Sequence, residues 1–274
     1  MPCLRSIVTG YFGVLREPCR YCIIRLFRER EALKPFAGIR AGPAEKSRNM
    51  KDSVMEKNTP NISSSLRHSI LRIPEATYAA SGIIINGRRI KSLVFTTDLA
   101  IIRNCDADAV FAVYPFTPQP VISDAIIKAS YIPVFCGIGG GTTKGLRTVA
   151  LANDAENQGA MGVVLNAPIT NLNLAAVSKA VDIPVIITVT KPDTDIAARL
   201  RAGATILNVA GGPSTPDIVR KIRDSFPDVP IIASGGNVNE TIEKTILAGA
   251  NAITYTPPTT NELFKTLMEK YRDE

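Results

Sequence analysis

Between Ser92 and Thr256 the chain repeats one pattern eight times: a short run of β-branched and other apolar residues, then a longer stretch with helical spacing. The runs are SLVFTT (92–97), AVFAVY (109–114), IPVFCG (132–137), GVVLNA (162–167), PVIITVT (184–190), TILNVA (205–210), PIIASG (230–235) and AITYT (252–256). Parallel strands joined by crossover helices leave this trace in a sequence. A second regularity supports the count. Runs three, five and seven open on an Ile/Val-Pro step at Pro133, Pro184 and Pro230, spaced by 51 and 46 residues. Runs four, six and eight follow a Gly-Ala step at Gly159, Gly203 and Gly249, spaced by 44 and 46. Proline is tolerated at the first residue of a strand, and glycine ends a helix because it takes the left-handed conformation without strain. A doubly wound open sheet shares the alternation of strand and helix. The paired repeat and the count of eight favour the closed (β/α)8 TIM barrel, an α/β fold, over residues 92–274.

The helix starts are equally legible. STPDIVRKI offers a Ser/Thr cap, Pro216 in the first turn, Asp217 near the positive end of the helix dipole, and Ile218 and Ile222 one turn apart. NVNETIEKTILAGA repeats the logic with Asn239 as cap, Ile242 and Ile246 inward and Gly249 as the stop. Ahead of the first run, GIIINGRRIKSL holds Asn86-Gly87 between apolar residues, the signature of a type I′ hairpin. We expect that hairpin to plug the N-terminal end of the barrel. Residues 56–91 then form a lead-in plus hairpin, with SSSLRHSILRI (63–73) as a short helix.

Residues 1–55 differ from the rest. They hold 11 Lys+Arg against 5 Asp+Glu, whereas residues 56–274 hold 21 against 20, so nearly all of the net charge of +7 lies in the first segment. No helical or strand period is sustained there. Glu17, Glu29 and Glu31 among its arginines argue against an organelle-targeting segment, and Arg5 and Arg16 bracket too weak an apolar centre for a secretory one. Two readings stay open: a disordered basic arm, or a mis-assigned start with translation beginning at Met50 or Met55. The body carries only Cys105 and Cys136, which is no disulfide framework and suits a reducing, cytoplasmic setting. Cys19 and Cys22 have metal or redox spacing, with no second pair or histidine cluster beside them. The apolar runs fall far short of the ~20 residues of a membrane span. A near-neutral body gives nucleic acid no footprint, so neither a membrane nor a nucleic-acid partner is expected, and self-association is left open.

In such barrels the site lies at the C-terminal ends of the strands. That rule selects a polar but mostly uncharged ring: Thr96, Thr97 and Asp98; Tyr114; Cys136; Asn166; Thr188, Thr190 and Lys191; Asn208; Ser234; Thr254 and Thr256. Three glycine clusters adjoin it. GIGGGTTKG (137–145) fails the Walker order because its lysine follows the threonines. As a loop after strand three, its Gly139, Gly140 and Gly141 can turn backbone N–H groups inward, with Lys144 adding a charge. The bland reading is a flexible exit loop with a solvated lysine. Gly211-Gly212 and Ser234-Gly235-Gly236 each precede a helix and would let an anion approach its N-terminus.

PIIASGGNVNETIEKTILAGANAITY resembles the end of the phosphate-binding barrels, including keto-deoxy-phosphogluconate aldolases, N-acylmannosamine-6-phosphate epimerases and thiamine-phosphate synthases. The likeness spans roughly residues 184–256 and implies phosphate contact at Gly235 and Gly236. It does not carry the chemistry: those barrels have a further glycine step after strand eight, where this chain reads TYTPPTTNEL, and the aldolase Schiff-base lysine falls on Asn208. The body as a whole also resembles a bacterial group of barrels labelled "hydrolase", which supplies no motif.

The catalytic candidates are few. His68, the one histidine, lies before the hairpin. Asp98 is either a general base or the cap of the first helix. Lys191 either forms an imine or points outward, and Cys136 is either a nucleophile near Lys144 or a core residue. The expectation is an enzyme on a small anionic metabolite, phosphorylated or carboxylated, with lyase or isomerase chemistry from Asp98, Lys191 and Lys144 and no cofactor or metal. A hydrolase and a non-catalytic metabolite-binding barrel are the alternatives.

Overall fold

In the computed structural model the chain divides into two units, Met1–Pro60 and Asn61–Glu274. The structure describes Pro60, Ile62 and residues 70–273, all but Pro60 in the second unit. The basic segment 1–55, His68 and most of the helix expected over 63–73 lie outside the described residues. Of that helix the described end is extended: Leu71 forms a parallel bridge with Cys105, and a short 3-10 turn follows at Glu75–Ala79.

Strands β1 (Ile83–Ile85) and β2 (Arg88–Ile90) pair antiparallel around Asn86 and Gly87, whose φ of 48° and 79° are those of the expected type I′ turn. Eight parallel strands follow: β3 (Ser92–Phe95), β4 (Ala109–Ala112), β5 (Val134–Gly139), β6 (Gly162–Leu165), β7 (Val185–Val189), β8 (Ile206–Val209), β9 (Ile231–Ser234) and β10 (Ala252–Tyr255). β10 pairs with β3 and closes the barrel in chain order. Each strand overlaps a run read from the sequence, and β5 extends two residues past its run to Gly139. The intervening helices are α1 (Leu99–Arg103), α2 (Pro120–Ala129), α3 (Leu146–Asn157), α4 (Asn171–Ala180), α5 (Ile196–Arg201), α6 (Thr215–Ser225) and α7 (Asn239–Leu247), and α8 (Thr260–Asp273) follows the last strand.

The three Gly-Ala steps are one device used three times. Gly159, Gly203 and Gly249 have φ of 96°, 97° and 110°, and the N–H of the following alanine reaches back five residues to Ala155, Arg199 or Thr245. These are Schellman endings, which satisfy carbonyls that a helix otherwise leaves bare. Alternate strand residues then divide into two cores. Val94, Val110, Cys136, Val163, Ile187, Leu207, Ala233 and Ile253 face the helices. Leu93, Phe111, Phe135, Val164, Ile186, Ile206, Ile232 and Ala252 fill the barrel, and Ile83, Ile85 and Ile90 join them, so the hairpin is the plug at the N-terminal end.

Candidate functional site

The same parity carries the interior upward to the C-terminal mouth. Two residues beyond each buried interior side chain stand Phe95, Val113, Gly137, Asn166, Thr188, Asn208, Ser234 and Thr254. From β6 to β10 the inward position therefore changes from Val, Ile or Ala to an amide or a hydroxyl. These side chains, with Ala210 and Thr256, line an inner chamber of about 240 Å³. Gly137 has no side chain to project, and beside it an outer chamber of about 410 Å³ opens between the β4–α2 loop (Tyr114, Pro115, Phe116) and the glycine loop (Gly139, Gly141, Thr142, Thr143). Val113 and Asn166 line both chambers.

No Asp, Glu, Lys, Arg or His lines either chamber among the described residues. Two polar atoms inside are nevertheless unsatisfied. Asn208 is 6% exposed and Thr254 7%, and neither Asn208 Oδ1 nor Thr254 Oγ1 has a hydrogen-bond partner. Asn208 Nδ2 donates to Thr188 Oγ1 at 3.3 Å, which leaves the carbonyl as the free side of the amide. Leaving such a group unpaired costs about 1–3 kcal/mol, so an orphaned pair on two side chains that line one chamber calls for an explanation.

The glycine loop is held by its own backbone. Gly140 N–H donates to the Thr143 carbonyl (2.9 Å), and Asn166 N–H to the Gly139 carbonyl (2.8 Å). A Cβ on Gly140 would lie 2.7 Å from the backbone N and O of Asn166, and its φ is 115°. Glycine is required there by close approach to the exit of β6. At Gly211 a Cβ would meet Ile218 at 2.4 Å, and at Gly235 it would meet Ile253 and Ile242 at 2.8 and 2.9 Å. Those two glycines let α6 and α7 pack tightly on the barrel. Gly212 and Gly236 have φ of 60° and 75° and serve the turns. The Gly211 N–H is already taken by Thr215 Oγ1 (3.1 Å).

Two capping expectations are corrected. Ser214, at the cap position of α6, makes no side-chain cap bond. Val238, not Asn239, holds the cap position of α7, so the first-turn amides of α7 have no side-chain acceptor. Asn239 is the first helical residue, and its Oδ1 instead accepts the Ala76 N–H at 3.4 Å.

The charged candidates do not converge. Asp98 caps α1: Oδ1 accepts from Ala100 N (2.8 Å) and Ile101 N (3.4 Å), and the Thr260 hydroxyl donates to Oδ2. The Thr260 bond and the two amides hold its carboxyl below the ordinary range against the opposing effect of burial. Lys191 is exposed and lines a separate groove between α5 and α6 with Ile196, Lys221 and Phe226. Lys144 is exposed and lines neither chamber. Cys136 points into the helix-facing core, where burial pushes its thiol up to about 11. That is a core residue rather than a thiolate nucleophile. Sequence parity alone did not single out Phe95, Val113, Thr142 and Thr143.

Replacing Asp98 with alanine is expected to cost about 1 kcal/mol at neutral pH. The folded-state pKa is depressed, so this stabilisation is present above the unfolded value of about 3.9 and is lost as pH falls through the folded one. Melting curves of both proteins near pH 7 and near pH 3 check it. An equal gap at both would assign the stabilisation to something other than the carboxylate.

A closed (β/α)8 barrel with a polar mouth at its C-terminal face defines the chain as a TIM barrel. No protein-family model matches it, and no curated protein matches it in sequence. Solved structures share the fold. A phosphonopyruvate hydrolase is similar with a TM-score of 0.54 and 15% identity, over 72% of this chain and 84% of that one. A phosphoenolpyruvate phosphomutase from Streptomyces platensis subsp. rosaceus has a TM-score of 0.52 and 13% identity, over 72% and 83%. A 2,3-dimethylmalate lyase of the PEP mutase/isocitrate lyase superfamily also has 0.52 and 13%, over 73% and 86%.

Proposed function

We propose that this chain binds a small, oxygen-rich metabolite in the inner chamber at the barrel mouth. The observation that carries the reading is the pair of orphaned atoms, Asn208 Oδ1 and Thr254 Oγ1, carried by side chains of β8 and β10 that line one chamber on either side of β9. A ligand that hydrogen-bonds to both repairs a defect that folding alone leaves. Phe95 and Val113 supply apolar wall, and Asn166, Thr188 and Ser234 supply further polar contacts. A phosphate at Gly235 and Gly236 would lie outside the chamber wall and meet at most the Asn239 and Glu240 amides of α7, because the Thr241 and Ile242 N–H groups donate to the Val238 carbonyl.

An enzymatic reading has one specific observation in its favour. Tyr114 is the one ionisable side chain lining either chamber among the described residues, and its hydroxyl accepts the Gln119 N–H at 2.8 Å. The phenolic proton is left free to be donated to a ligand that spans both chambers. Lyase, isomerase or hydrolase chemistry at this mouth would use Tyr114 as its proton donor, with Asp98 kept to its structural task.

One structure of phosphonopyruvate hydrolase, again sharing the fold with a TM-score of 0.52, is a complex with oxalate and Mg++. The donor set here does not fit such an ion. Magnesium is held through carboxylates, waters and substrate oxygens, and among the described residues no carboxylate lines either chamber.

Thermal shift against a panel of hydroxy acids, polyols, amides and sugar phosphates tests the reading. A ligand at 100 times its dissociation constant adds about 2.7 kcal/mol of stability. The shift is expected with the parent and is expected to vanish in Asn208→Leu. A ligand whose shift is unchanged in that variant would move the site away from the mouth.

A further inference from the structure

We propose that the inner chamber takes an uncharged group bearing hydrogen-bond donors, a hydroxyl cluster or a primary carboxamide, rather than an anion. The inference rests on the reading of the mouth as the binding site and names the chemistry of its ligand. The inward side chains of β6 to β10 are amides and hydroxyls, and the remaining wall is Phe95, Phe111, Val113, Val164, Ala210 and Thr256. A carboxylate entering this space would shed its water with no cation to face. That penalty is several kcal/mol per ion even after the protein relaxes. Helix dipoles do not replace the missing cation, because Gly211, Gly212, Gly235 and Gly236 lie outside the chamber wall.

The orphaned atoms give the complementary half of the argument. Asn208 gives one Nδ2 N–H to Thr188 Oγ1, and its free Oδ1 is an acceptor that an anion would repel and a donor would satisfy. Thr254 Oγ1 can both donate and accept, so it pairs with a hydroxyl or carboxamide in either sense. A neutral group carrying an O–H or N–H beside a carbonyl or hydroxyl oxygen satisfies both atoms at once and brings no charge into the barrel.

Matched pairs that differ in charge at nearly constant shape test the proposal: glyceramide against glycerate, lactamide against lactate, and glycolamide against glycolate. Calorimetric titration of the full chain is expected to find at least one carboxamide binding tenfold or more tightly than its carboxylate. That binding should be lost in Thr254→Val, which keeps the side-chain shape, and kept in Lys191→Met, which lies in a separate groove. Carboxylates that bind more tightly and lose affinity in Thr254→Val would overturn the charge class and leave the mouth as the site. Binding of either kind that ignores Thr254→Val would overturn the mouth reading itself. Failure of all six probes with a folded chain would overturn the carboxamide and hydroxyl assignment.

Discussion

Replacing Arg223 with methionine is expected to lower the stability of the barrel by about 3 kcal/mol. Arg223 leaves α6 near its C-terminal end and spreads its guanidinium over the N-terminal rim. Nε and Nη2 donate to the Gly249 carbonyl at 3.2 and 2.7 Å, and Nη1 donates to the carbonyls of Phe226, Pro227 and Val229. Nη2 also donates to Asn251 Oδ1 at 2.9 Å, and that same oxygen accepts the Ile231 N–H at 2.9 Å. Asn251 in turn holds the lead-in to the hairpin, through Ser81 Oγ and through the Gly82 N–H. One planar fork thus joins the α6–β9 loop, the α7–β10 loop and the residues that lead into the plug. Methionine fills a similar volume and leaves those carbonyls without their donor. A lysine at this position keeps the charge but not the fork, so Arg223→Lys should recover less than half of the loss. Breaking the exposed Lys128–Asp124 pair of α2 should move stability by no more than about 0.5 kcal/mol. Each kcal/mol shifts the midpoint of a chain this size by roughly 2–4 °C, so scanning calorimetry separates the three variants. A methionine variant that melts with the parent would mean that water takes over the carbonyls at no cost.

Arg223 also shows where a sequence stops being readable. Gly249 is legible as a helix stop, because glycine after a helical run has one local explanation. That its missing Cβ also makes room for the Arg223 side chain, which would stand 3.0 Å from it, depends on two elements 26 residues apart. The eight strands were legible because both faces are buried and each reads as a run of β-branched and other apolar residues. That legibility removed something else. A strand apolar on both faces has no period of two, so nothing in the sequence says which residue at its end points into the barrel. Asp98, Lys191 and Asn208 stood on one footing as strand-end residues, and only the closed geometry separates the cap, the outward lysine and the inward amide. The glycine clusters were ambiguous for a related reason. Close packing, a left-handed turn and an anion cradle all select glycine, and at Gly140, Gly211 and Gly235 the neighbours that a Cβ would strike decide for packing. At the mouth, the ring of uncharged polar residues was visible before its parity was.

Thr254→Val is expected to make the free protein more stable while removing its ligand. Thr254 Oγ1 is buried and unpaired, so exchanging the hydroxyl for a methyl group removes an unsatisfied polar group at nearly constant shape. The expected gain is about 1–2 kcal/mol, or a rise in midpoint of several degrees. A threonine present only to fill space would respond otherwise, since the exchange would then change stability little and leave binding untouched. A hydroxyl kept for a ligand pays for its function in the free state, and the two effects must carry opposite signs. The parent with bound ligand should melt above the variant, and the variant should melt above the parent without ligand, so the order of the three midpoints is itself the result. Crossing Thr254→Val with Asn208→Leu sharpens it. The two side chains face one chamber, so their effects on binding should overlap rather than add, while their effects on the free protein, where each atom is orphaned separately, should come closer to adding. Loss of stability in Thr254→Val would show that the hydroxyl has a partner in the free protein, and with it would fall the reading of the mouth as a site completed by its ligand.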